Sequence, residues 1–150
     1  MKTVSDLVAE HPFFAGLPAS VTQVLAGCGS NAVYPADTFI MREGTAADTF
    51  HLIRHGAVAL ETSTPGRAPY RFATLGRGDI LGVSWLVPDY RVDFDARVLK
   101  PVRAVTFDAT CLRGKCEADP ALGYALMKRF VPVLVERLRA ARLQAMDVYA

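Results

Sequence analysis

What this chain lacks narrows it first. No apolar run is long enough to span a membrane, and the opening Met1-Lys-Thr-Val-Ser-Asp-Leu-Val carries polar residues where a secretion signal needs an unbroken apolar region. A cytoplasmic location away from membranes is expected. Charge is sparse and balanced: 21% of the 150 residues are charged, 17 basic against 15 acidic, for a formal net charge of +2. That balance exerts no bulk pull toward nucleic acid, and there is no basic tail. The three cysteines, Cys28, Cys111 and Cys116, are an odd number with no C-x-x-C pair, which reads as buried or incidental thiols in a reducing compartment, with a cluster or redox switch as the lesser alternative.

Catalytic signatures are missing as well. No G-x-S-x-G, H-E-x-x-H or Walker lysine motif occurs. His51 and His55 are four residues apart on an expected strand, which separates them by about 13 Å, too far for one metal ion. Asp93 and Asp95 read as solvated surface carboxylates. The chain is therefore expected to be no enzyme, with no catalytic residues and no metal site.

What is present is a core. Half of the residues (51%) are apolar, and the length suits one domain over residues 1–150. Residues 1–29 mix short helical patterns (Val4, Leu7, Val8; then Val21, Val24, Leu25) with breakers at His11-Pro12 and Pro18. From 30 to 107 the period becomes two, in runs at 32–34, 38–41, 50–54, 57–61, 70–75 and 102–107. Turn residues at Glu43-Gly44, His55-Gly56, Pro65-Gly66 and Arg77-Gly78 divide them, as in a small antiparallel sandwich or barrel. Residues 108–150 turn helical again. A short helix from Asp108 to Cys116 is expected to break at Gly114 or at the link 117–120, and a long one follows with Asp119 as N-cap and Pro120 in its first turn.

That last helix carries two apolar faces. Leu122, Leu126, Phe130 and Val133 suit packing on the barrel. Met127, Val131, Leu134, Leu138, Ala141, Ala145 and Val148 step by four and three like a coiled-coil seam, predicting a parallel homodimer. Pro132 is expected to interrupt the seam and kink the helix. The arginines Arg129, Arg137, Arg139 and Arg142 are interrupted by Glu136 and Asp147, the pattern of a solvated flank rather than of a nucleic-acid surface.

Residues 75–98 form the centre of the chain. Glycines open the stretch, Val83 to Val87 suit one helical turn, Pro88 stops it, and a loop through Arg91 enters an alternating segment, Phe94 to Leu99. Strand, glycine turn, short helix and strand is how free backbone N–H groups hold an anion, usually a phosphate. The N–H groups of Val83, Ser84 and Trp85 are the candidate donors.

Residues 40–60, IMREGTAADTFHLIRHGAVAL, closely resemble the cyclic nucleotide-binding domain family, with Gly44, Phe50, Leu52, Gly56, Val58 and Leu60 in the family's places. Residues 75–82, LGRGDILG, resemble the entry to its phosphate-binding cassette, here at 78–98. The resemblance implies an α+β, mainly β fold: a sandwich or jelly-roll barrel flanked by short N-terminal helices and a long C-terminal helix. It further implies the sensor half of catabolite-activator-type regulators, a module that also occurs in kinase regulatory subunits and ion channels.

Two positions depart from that pattern. The family usually has a glutamate after the cassette glycine, for the ribose hydroxyl; Val83 stands there. Its phosphate-pairing arginine lies two residues before an alanine; counting back from Ala96 gives Phe94. Losing the partner of a buried charge costs about 2 to 5 kcal/mol, or tens to thousands of fold in affinity. Strand parity turns Asp95 and Arg97 away from the pocket, so Arg91, in the loop and with reach, is either the substitute or, the commoner role, a solvated loop charge. Trp85, Tyr90 and Phe94 are expected to act either as an aromatic plug or as a stacking platform.

The candidate pocket is thus Gly82, Val83, Ser84, Trp85, Arg91, Phe94, Asp95 and Ala96. The first expectation is a non-enzymatic, dimeric regulatory module with an altered pocket, no cofactor, and a protein partner reached through the long helix. The alternatives are a working cAMP or cGMP receptor using Arg91, a sensor fragment of a transcription regulator, and, last, a small enzyme using the cavity. Ending at Ala150, the chain is expected to have no DNA reader of its own.

Overall fold

A computed structural model describes residues 2–149, with side chains through Asp147; the seam position Val148 therefore lies outside the described side chains. Six strands make one antiparallel sheet: β1 (Gly29–Tyr34), β2 (Phe39–Met41), β3 (Thr49–Thr62), β4 (Tyr70–Leu75), β5 (Ile80–Leu81) and β6 (Asp95–Asp108). The order is β1-β6-β3-β4, with β2 added to β6 and β5 to β3. The sheet does not close on itself, so the expected barrel is an open one.

β3 and β6, 14 residues each, pair along their length and form the frame. The turn expected at His55-Gly56 is instead a bulge inside one long strand. Pairing passes from His55↔Arg103 to Ala57↔Lys100, so two residues of β6, Pro101 and Val102, oppose Gly56 alone. Gly56 has φ +100°, and a Cβ there would lie 2.4 Å from the Pro101 carbonyl oxygen. Only glycine permits that approach, and Pro101 is tolerated because ladder bonding lapses at a bulge.

The helices are α1 (Val4–Glu10), α2 (Ala19–Gly27), α3 (Ala109–Ala118) and α4 (Pro120–Tyr149), with a 3-10 turn at Pro12–Phe14. α1 starts with a capping box, in which Thr3 accepts from Asp6 N–H and the Asp6 carboxylate accepts from Thr3 N–H. Asp108 caps α3, which runs through Gly114 and stops only at Asp119. The Asp119 side chain accepts from Ala121 N–H at 3.2 Å and starts α4 at Pro120. α4 continues past Pro132 as one helix.

The inner face of α4 packs as its spacing predicts: Leu122, Leu126 and Phe130 are buried. Phe130 meets a cluster that joins helices, sheet and cassette. Phe50 stacks on Trp85 (5.0 Å, 15°) and on Phe107 (4.6 Å, 14°), and Phe130 stands edge-on to Phe50 and Trp85. Aromatic pairs in these geometries contribute about 0.5 to 1.5 kcal/mol each beyond their burial.

Candidate functional site

β5 delivers the chain to Gly82, whose φ is +103° and whose missing Cβ would otherwise sit 2.9 Å from Met41 Cε. The expected helical turn forms as a 3-10 turn, Ser84–Leu86. After Pro88, Asp89 and Tyr90 both take positive φ (74° and 47°) and reverse the chain. The loop is then stitched to residues 44–47: Gly44 N–H donates to Val92 O (2.8 Å), Val92 N–H to Thr45 O (2.9 Å) and Ala47 N–H to Tyr90 O (2.7 Å).

The sequence-derived pocket residues have different immediate surroundings. Trp85 is 1% exposed and lies in the aromatic core, so it offers no open stacking face; among the described residues its buried Nε1 has no partner. Tyr90 lies beneath the Arg113 guanidinium at 4.3 Å. Phe94 stands edge-on to Phe72 of β4, centroids 5.9 Å apart. Trp85 and Tyr90 thus share Arg113, which donates to Trp85 O, whereas Phe94 packs on β4.

Around Phe94 the lining is hydrocarbon. Ala96 and Val98 sit opposite Leu60 and Val58 of β3, all four fully buried, and Val83 packs against the same core. The opposite face of β6 carries the charges, as parity requires. Arg97 donates to both Glu61 carboxylate oxygens (2.9 and 3.0 Å), and those hydrogen bonds hold the Glu61 carboxyl below its ordinary range despite burial. Asp95, expected at the surface, is buried. It accepts from Glu43 N–H (2.9 Å) and Ser63 Oγ (3.4 Å), with Arg42 Nε at 3.5 Å. Arg91 bridges Ala46 through its backbone and is exposed; among the described residues its guanidinium has no hydrogen-bonding partner.

Arg113, which sequence reasoning passed over, and Arg137, which it assigned to a solvated flank but which is part-buried, tie the cassette to the helices. Arg113 of α3 donates to Trp85 O (3.0 Å) and Ala47 O (3.1 Å). Arg137 of α4 donates to Ile80 O, and Gln144 donates to Phe72 O at 2.9 Å. α4 therefore runs beside β4 and β5, leaving a cleft of about 610 Å³ that includes Leu75, Ile80, Val133 and Arg137. Both arginines sit among other charged residues of their helices, so no local signal distinguishes them.

His51 is buried between Thr49 Oγ1 (3.2 Å) and Thr106 Oγ1 (3.0 Å), and His55 is exposed. Among the described residues no group of three or more His, Cys, Asp or Glu side chains is placed to hold a metal ion. No helix among them is long and apolar enough to cross a membrane.

Residues 32–119, more than half of the chain, match the model of the cyclic nucleotide-binding domain. Among solved structures, a protein of Geobacter metallireducens named for cyclic nucleotide binding is 30% identical, with a TM-score of 0.80 over 92% of this chain and 99% of that one. A cyclic nucleotide-binding domain of Methylobacillus flagellatus is 19% identical, with a TM-score of 0.78 over 96% and 81%. The catabolite activator protein of Thermus thermophilus is 20% identical, with a TM-score of 0.69 over 92% of this chain and 63% of that one. The last two likenesses are of fold.

Proposed function

Because the chain belongs to the cyclic nucleotide-binding domain family, we propose that it is a non-enzymatic regulatory module of that family whose cassette no longer selects cAMP or cGMP. One observation carries the reading: at the position from which the family's arginine reaches the phosphate, Phe94 is packed edge-on against Phe72. A cyclic phosphate entering there would shed water against Phe94 and Phe72, and Arg97 is committed to Glu61, which leaves the exposed Arg91 as the cation this loop offers. Hydrocarbon at Val83 leaves the sugar hydroxyl unmet too.

The output of the module would pass through α4. Met127, Val131, Leu134 and Leu138 are 44%, 48%, 38% and 62% exposed, and Ala141 and Ala145 continue the same seam, also exposed. The occupant that fits this stripe is a second copy of α4, packed in parallel, with a protein partner reading the paired helices. Direct DNA binding and membrane attachment have no part in this reading, and the cytoplasm is its setting.

Titration calorimetry of the unaltered chain with cAMP and with cGMP tests the pocket: no sub-micromolar heat is expected, and a sub-micromolar Kd for either would refute it. Arg91→Ala then separates the alternative receptor, whose affinity it would abolish. For the seam, Leu138→Glu should convert a sedimenting dimer to monomer while leaving the folded chain within about 0.5 kcal/mol of its stability, as exposed substitutions do. A dimer that withstands both Leu138→Glu and Val131→Glu would place the interface elsewhere.

A further inference from the structure

We propose that Cys28 and Cys111 are a peroxide-reactive thiol pair that closes to a disulfide joining the end of α2 to the first turn of α3. Their Sγ atoms lie 2.8 Å apart although 83 positions separate them in the sequence. The backbone holds the two elements together independently of sulfur. Asp108 N–H donates to Cys28 O at 2.8 Å, and the Asp108 carboxylate accepts from Cys111 N–H at 2.9 Å. The two thiols therefore meet across a junction that main-chain and capping hydrogen bonds already hold together.

The surroundings assign different tasks to the two thiols. Burial, and after it the hydrogen bond shared with Cys111, pushes the Cys28 thiol up to about 11. Cys28 also borders a cleft of about 430 Å³ lined by Ser30, Asp48, Thr49, Thr106, Asp108 and Thr110. Cys111, half-buried in the first turn of α3, is the more accessible thiol. Lys115, one turn farther along α3, holds its ammonium 3.5 Å from Cys28 Sγ.

The chemistry runs in two steps. The Cys111 thiolate attacks one oxygen of a hydroperoxide; the O–O bond breaks, the second oxygen leaves as hydroxide or alkoxide, and Cys111 becomes a sulfenic acid. Cys28 then attacks the sulfenic sulfur, the S–O bond breaks, and the hydroxyl departs with the Cys28 proton as water. The Lys115 ammonium stabilises the Cys28 thiolate as it forms. Two thiols lose two electrons and the peroxide gains them. Because α3 leads directly into α4, the bond would tether the base of the long helix to the N-terminal helices. None of this depends on how the cassette treats nucleotides.

The test is intact-mass analysis and peptide mapping of the full chain after hydrogen peroxide, with and without alkylation. A loss of about 2 Da is expected, the two thiol hydrogens. One alkylatable thiol should remain, Cys116, with a cross-linked peptide joining 28 to 111 that dithiothreitol releases. Cys116→Ser should leave this result unchanged, Cys111→Ser should abolish it, and Lys115→Gln should slow closure. Three thiols still alkylated, Cys111 halted at sulfinic acid, or a bridge between two chains would overturn the proposal. If Cys111→Ser fails to fold, the peptide map of the unaltered chain decides alone.

Discussion

Acidification should destabilise this fold through His51, in a window the structure defines. The imidazole is 2% exposed, lies edge-on to Tyr34, and is pushed by burial down to about 4 from its ordinary 6.5. The folded state therefore keeps His51 neutral while the unfolded chain takes up a proton below about 6.5. Its contribution is fully present above that value and is lost as pH falls toward 4. Linkage over the two values gives a loss of about 2 kcal/mol between pH 7 and pH 5, rising to about 3 kcal/mol once both states are protonated. Burial also lowers His11, in the same direction, so the measured quantity is a difference. Urea unfolding of the chain and of His51→Gln at pH 7 and pH 5 should show a steeper loss in the unaltered protein by about 2 kcal/mol. Equal losses in the two proteins, or a His51 resonance titrating near 6.5, would refute the reasoning.

Two further substitutions probe the frame of the site. Arg113→Ala removes two charge-assisted bonds to backbone carbonyls and the contact with Tyr90, and should cost about 2 to 4 kcal/mol. Hydrogen exchange should quicken first in residues 84–92. Gly56→Ala should cost about 1 to 3 kcal/mol from its backbone conformation alone, with the clash against Pro101 adding to it; thermal unfolding reads the loss.

What the sequence made legible was the repeating backbone demand. Gly44, Gly56 and Gly82 all have positive φ, and their spacing around alternating apolar residues carried the fold family. Strand limits were less visible, because a glycine in a bulge and a glycine in a turn look alike locally. Only the partner strand, with Pro101 opposite Gly56, decides between them. Trp85 misled for a related reason: an aromatic residue in a glycine-rich loop suggests a ligand contact. Its actual place follows from Phe50, Phe107 and Phe130, which come from three other elements. Arg113 was invisible because its acceptors are main-chain carbonyls 28 and 66 residues away.

At Phe94 and Val83, by contrast, counting along the chain pointed to the two substitutions, and the packing of Phe94 on Phe72 is the physical reason to propose weak nucleotide affinity. Reintroducing the missing polar groups tests that reason head on. Calorimetry with cAMP on the unaltered chain and on Val83→Glu/Phe94→Arg, side by side, should give no sub-micromolar binding in the first. The second should gain about tens to thousands of fold in affinity, the worth of about 2 to 5 kcal/mol. Tight binding by the unaltered chain, with no gain on substitution, would contradict the account.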